Sequence, residues 1–237
     1  MSQQDAALPD WLRLQEELVQ LVAHDMRNPL QAIMANASFL EDATHASEQE
    51  ARETTADIRS SADMLMRLIE NTVTVARLES PSASAVQRVP VSLLSVVEAA
   101  VERCAGIAAN SEIGLSLEAS EGARVMADPQ LLDQLVQNLV TNAIQHSRRR
   151  TSVSLRVERA GARAAVVLVD QGPPFGAVER HFTREAQAAI KFQPDGRYSR
   201  GLGLYVVGIV TRAFGGTIEP SREGARSVLR VWLPIAG

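Results

Sequence analysis

The chain has 237 residues, 46% of them apolar and 22% charged, enough for one good core or two small ones. A formal net charge of -4, from 24 basic and 28 acidic residues, excludes a general affinity for nucleic acid or for an anionic membrane. The lone Cys104 excludes an internal disulfide framework, and no run approaches the ~18 apolar residues of a membrane span, so the expectation is a cytoplasmic chain without a membrane span. The first ten residues are polar and show no basic stretch leading into an apolar one.

From residue 11 to about 40 the apolar positions Leu14, Leu18, Leu21, Leu30, Ile33, Ala37 and Leu40 recur mostly at threes and fours, which predicts one long amphipathic helix with Asp10 as its cap. Residues 41–50 (EDATHASEQE) are polar and suit a turn between antiparallel helices. A second helix is expected from about 51 to 78, with Ile58, Ala62, Leu65, Ile69, Thr72 and Ala76 spaced as a bundle seam. Two such helices leave half of each apolar stripe wet. A symmetric dimer forming a four-helix bundle would cover it, and packing on the rest of the chain is the competing arrangement.

Residues 80–90 change composition and read as a linker, so the expected division is 1–79, 80–90 and 91–237. The third part opens with a predicted helix over 91 to about 110 and short strands over 114–119 and 123–127. A helix follows over 129–146, opened by Asp128 as cap with Pro129 at its first position. Strands are predicted over 151–158 and 164–169, then a helix over 203–214 stopped by Gly215 and Gly216. A closing hairpin over 217–220 and 227–233 completes the chain. The expected class is α+β: a helical hairpin, then an α/β sandwich with a mixed sheet and helices on one face.

Four stretches carry candidate chemistry. Residues 21–30 (LVAHDMRNPL) place His24, Asp25 and Asn28 within one turn or so of helix, with His24 and Asn28 at i and i+4. Pro29 withholds an amide donor and should loosen the helix beside them. On the helix 129–146, Asn138, Asn142 and His146 form one stripe of polar groups suited to a hydrated magnesium ion and polyphosphate, although a solvated helix face fits as well. A buried strand delivers Asp170 before Gly172, where a carboxylate can accept a hydrogen bond from an exocyclic amine; a plain surface turn also fits. Arg197, Arg200, Gly201, Leu202, Gly203 and Leu204 lead into a helix whose amides and positive end offer an anion site.

In the order HDxxNP, NxxxNA, DxG, GLGL, these stretches resemble the catalytic core of a sensor histidine kinase of two-component signalling. The resemblance spans almost the whole chain. It implies that His24 is the phosphoacceptor, that Asn142 holds magnesium, that Asp170 reads adenine, and that residues 200–204 form the second glycine box. It further implies the sandwich fold shared with type II topoisomerases and heat-shock chaperones. No GxxxxGK[ST] occurs, so a P-loop is excluded.

The resemblance also implies transfer of the γ-phosphoryl group of ATP to His24, with Asp25 fixing the imidazole tautomer, and onward transfer to an aspartate of a response-regulator receiver domain. ATP and magnesium would be the cofactors. The hairpin would form a homodimer, and an upstream sensor protein or domain would supply the signal. Asn28 stands where dephosphorylating members carry an amide, which gives a phosphatase or phosphotransfer protein as an alternative, with a non-catalytic dimeric scaffold as a third. The chain departs from the family pattern at Pro174, Gln145, Glu185 (with Phe182 at the first position of its phenylalanine box), Ser199 and the late pair Arg226-Ser227.

Overall fold

A computed structural model of the chain describes residues 3–42, 47–80, 85–119, 121–171 and 202–236, with the backbone alone for residues 3–21 and for His24. Two compact units result, a helical hairpin and a mixed α/β layer.

The hairpin consists of α1 (Gln3–Asp42) and α2 (Glu48–Leu78), which pack against each other. Helix α1 starts earlier than expected, and Asp10 lies inside it rather than capping it. The residues before Asp10 include Gln3, Gln4, Ala6, Ala7 and Leu8, all good helix formers. The helix is continuous through Pro29, so one missing amide donor does not interrupt it. Helix α2 also begins sooner than the sequence pattern indicates, because the segment Ser47 to Glu50 is a capping box. The Ser47 amide donates to the Glu50 carboxylate at 2.8 Å, and the Glu50 amide donates to the Ser47 hydroxyl at 3.2 Å.

The second unit runs β1 (Val89–Ser92), α3 (Leu93–Asn110), β2 (Gly114–Leu117), β3 (Arg124–Ala127), α4 (Pro129–His146), β4 (Ser152–Ala160), β5 (Arg163–Asp170), α5 (Leu202–Ala213), β6 (Thr217–Glu223) and β7 (Arg226–Pro234). The expected start of α3 is corrected: residues 89–92 are a strand paired antiparallel with β3, and the helix opens at Leu93 with Ser92 as cap. Val89, Pro90 and Val91 suit an extended edge better than a helix, and β3 supplies the partner.

Five strands form one sheet in the order β2-β4-β5-β7-β6, with β2 and β4 parallel and the other neighbours antiparallel. Helices α3 and α4 lie against this sheet. The central strand β5 is buried from Ala164 to Asp170, on both faces, which is why its sequence is a continuous apolar run. On one face Ala165, Val167 and Val169 pack with Val228 and Trp232 of β7.

Candidate functional site

Helix α4 is fixed at its start by Asp128, whose carboxylate accepts from the amides of Gln130 at 2.9 Å and Leu131 at 3.1 Å, with Pro129 in the first turn. Leu132, Leu135, Val136 and Val140 are fully buried, which orients the helix. The stripe of Asn138, Asn142 and His146 therefore has a set direction. Asn138 is 5% exposed, and Asn142 and His146 are half-buried, so the stripe is packed at Asn138 and reaches solvent beyond it.

Strand β5 ends at Asp170, which is 7% exposed. Directly across the ladder on β7 lies Ser227, 1% exposed. A buried carboxylate and a buried hydroxyl thus occupy paired positions at the end of a strand that is otherwise apolar. Sequence reading passes over Ser227 except as a departure from a family pair. The available signal is one small polar residue heading the apolar run of β7.

Helix α5 brings in the third stretch. Leu202 and Leu204 are buried and anchor its first turn, leaving backbone amides as the groups this turn offers at the positive helix end. A Cβ placed on Gly203 would lie 3.3 Å from the Asn138 side-chain oxygen. The glycine stretch and the asparagine stripe therefore touch, and glycine permits the contact. A buried carboxylate, an amide stripe and a positive helix end are groups of the kind that bind a nucleotide. Among the described residues no group of three or more His, Cys, Asp and Glu is placed to hold a metal. A magnesium ion would depend on the Asn142 amide oxygen and phosphate oxygens, a donor set that suits a hard cation.

On the hairpin, His24 lies on α1, Asp25 is 7% exposed, Pro29 is buried and Asn28 is exposed. Gly172, Arg197, Arg200 and Gly201 lie outside the described residues, as do Pro174, Phe182, Glu185 and Ser199. Away from these residues, hydrogen bonds from Ser47 hold Glu50 below the usual carboxylate range, and one from Arg230 does the same for Glu223.

Comparison with known proteins gives two family matches. The His Kinase A (phospho-acceptor) domain matches residues 14–81, and the histidine kinase-, DNA gyrase B-, and HSP90-like ATPase matches residues 127–237. The chain is similar to the sensor histidine kinase ZraS of Escherichia coli, 29% identical over 242 residues that take in 96% of this chain and 48% of that protein. It is also similar to the sensor-like histidine kinase SenX3 of Mycolicibacterium smegmatis, 30% identical over 233 residues, 92% of this chain and 57% of that protein. The chain thus spans about half the length of curated relatives it matches.

Among solved structures, the histidine kinase AdeS of Acinetobacter baumannii superposes with a TM-score of 0.61 at 18% identity, over 90% of this chain and 98% of that one. The histidine kinase ThkA in complex with the response regulator protein TrrA gives 0.61 at 20% identity, over 96% of this chain and 64% of that one. At these identities the likeness speaks to the fold.

Proposed function

We propose, because the chain belongs to the histidine kinase family, that it transfers the γ-phosphoryl group of ATP to His24 and passes it to an aspartate of a response regulator. The observation that carries this reading is the joining of the Asn138 stripe to the glycine turn at Gly203, in a chain whose other unit presents His24 on a helix. Asp170, with Ser227 across the ladder, would accept a hydrogen bond from the adenine amine. The first amides of α5 would face the phosphates.

In the transfer, a nitrogen of the His24 imidazole attacks the γ-phosphorus in line. The new N–P bond forms as the bond to the ADP oxygen breaks, and the resulting imidazolium gives up the proton of its other nitrogen to the Asp25 carboxylate, which returns it to water. Asp25 would orient that nitrogen and stabilise the imidazolium. Magnesium, bound by phosphate oxygens and Asn142, would supply charge neutralisation.

A second copy of the chain would complete the hairpin. Leu30, Met34, Met66, Ile69 and Val73 are 41% to 62% exposed, an apolar surface that a dimeric four-helix bundle would cover. No described helix is long and apolar enough to cross a membrane.

Incubation with γ-labelled ATP and magnesium tests the reading. The expected result is acid-labile label on the wild type, lost in His24→Ala and in Asn142→Ala. Wild-type protein that binds nucleotide and takes no label would overturn it. A second activity, hydrolysis of the regulator's aspartyl phosphate, is favoured by the exposed Asn28 one turn from His24. Asn28→Ala would then slow loss of label from the regulator while leaving His24 labelling in place.

A further inference from the structure

We infer that Asn71 is a positioning residue that holds the carboxylate of Asp25 during phosphoryl transfer to His24; the inference rests on the kinase reading above. Polar residues are buried among the apolar ones of the packed face over this stretch. Leu30, Met34, Met66, Ile69 and Val73 face outward, whereas Asp25, Asn71 and Thr74 are each 7% exposed.

Asn71 sits in the packed face of α2. Leu68 and Val75, three residues before and four after it, are buried on the same face. Asp25 shares its face with the buried Pro29, four residues on, and α2 is the element that packs along α1. Burial of a carboxylate and an amide where leucines would fit lowers stability, so packing alone does not account for either residue.

The axial positions bring the two side chains toward each other. With a rise of about 1.5 Å per residue, Asp25 lies about 26 Å and Asn71 about 34 Å from the turn ends of their helices. Helical side chains tilt toward the helix N-terminus. In an antiparallel pair Asp25 therefore leans away from the turn and Asn71 leans toward it, which narrows the axial gap of about 8 Å between them. An amide donor at Asn71 then fixes the rotamer of Asp25, the residue that follows the acceptor histidine. Asn71 touches no reacting atom and acts through Asp25.

The test uses the full chain, labelled by γ-labelled ATP, as wild type, Asn71→Leu, Asp25→Asn and the double variant, with helix content and melting followed by circular dichroism. Asn71→Leu is expected to lower the labelling kcat by about tenfold at unchanged KM for ATP, the loss of one charge-assisted hydrogen bond. The double variant is expected to be no slower than Asp25→Asn alone. Asn71→Ala repeats the measurement if leucine unfolds the hairpin.

An unchanged kcat in a folded Asn71 variant, even with a lowered melting temperature, would assign the residue to structure alone and overturn the inference. Losses that multiply in the double variant would overturn it too, since Asn71 would not be acting through Asp25. Absence of label on the wild type is a separate result: it removes the kinase reading and this inference with it.

Discussion

Gly203, at the start of α5, lies so close to Asn138 of α4 that an added Cβ would sit 3.3 Å from the asparagine side-chain oxygen. That separation is tight without being forbidden, so Gly203→Ala should fold and shift the asparagine by a few tenths of an ångström. Weaker nucleotide binding is the expected consequence, roughly tenfold, about 1.4 kcal/mol, with the melting temperature changed little. Fluorescent ATP-analogue titration beside a thermal melt separates the two effects. Gly203→Val, which must displace Asn138 outright, should abolish binding.

Gly216 is constrained far more severely. A Cβ there would meet the Trp232 carbonyl oxygen at 2.2 Å, Leu233 Cδ2 at 2.9 Å and Thr211 Cγ2 at 3.0 Å. The first is backbone in the β7 ladder and has no room to yield. Gly216→Ala should therefore cost roughly 3 kcal/mol, a lowering of the melting temperature by about 10 °C. A variant that melts with the wild type would show that β6 and β7 can separate there at little cost.

Among the described residues, two other than glycine adopt the left-handed region, Glu112 at φ 55° and Arg150 at φ 62°. They are joined: the Arg150 amide donates to the Glu112 carbonyl at 2.7 Å, and Arg149 and Arg150 both pair with the Glu112 carboxylate. The Arg150 side chain is 87% exposed, so its ion pair is worth only a few tenths of a kcal/mol. Relief of the backbone is worth about 1 kcal/mol and wins. Arg150→Gly should stabilise the protein by about 0.5 kcal/mol, read as a rise in denaturation midpoint at unchanged m-value.

Val73, 60% exposed, and Met34, 62% exposed, belong to the apolar surface of the hairpin. Val73→Glu should leave the fold intact and shift the protein from dimer to monomer in light scattering. A variant still dimeric at micromolar concentration would place the interface elsewhere.

Glu50 carries the pH dependence at the start of α2. Hydrogen bonds from the Ser47 hydroxyl and amide lower its pKa from the ordinary 4.5. A depressed carboxylate pKa stabilises the folded helix above the unfolded value, and that contribution disappears as pH falls through the folded one. The protection factor of the Ser47 amide, its exchange relative to an unstructured amide at the same pH, should hold from pH 7 down to below about 4.5 and fall only then. In Glu50→Gln the step should vanish.

Much of the local structure is legible without coordinates. Asp128-Pro129 marks the start of α4, because a cap and a proline act within one turn. The order of HDxxNP, NxxxNA, DxG and GLGL identifies the family, because each motif joins residues close in the chain. The start of α2 is equally legible in Ser47 and Glu50, a capping box that the apolar spacing further on obscures.

What tertiary structure decides is pairing across long stretches of chain. Whether residues 89–92 become helix or strand depends on β3, more than thirty residues later. Ser227 lies opposite Asp170 only because β7 pairs with β5 in that register. Asn138 and Gly203 meet because the first turn of α5 comes up to α4, and Asp25 and Asn71 are buried because a hairpin closes on them. Local hydrogen bonding is written in neighbouring residues. Register and burial are set by which distant surfaces come together, and spacing along one chain does not contain that.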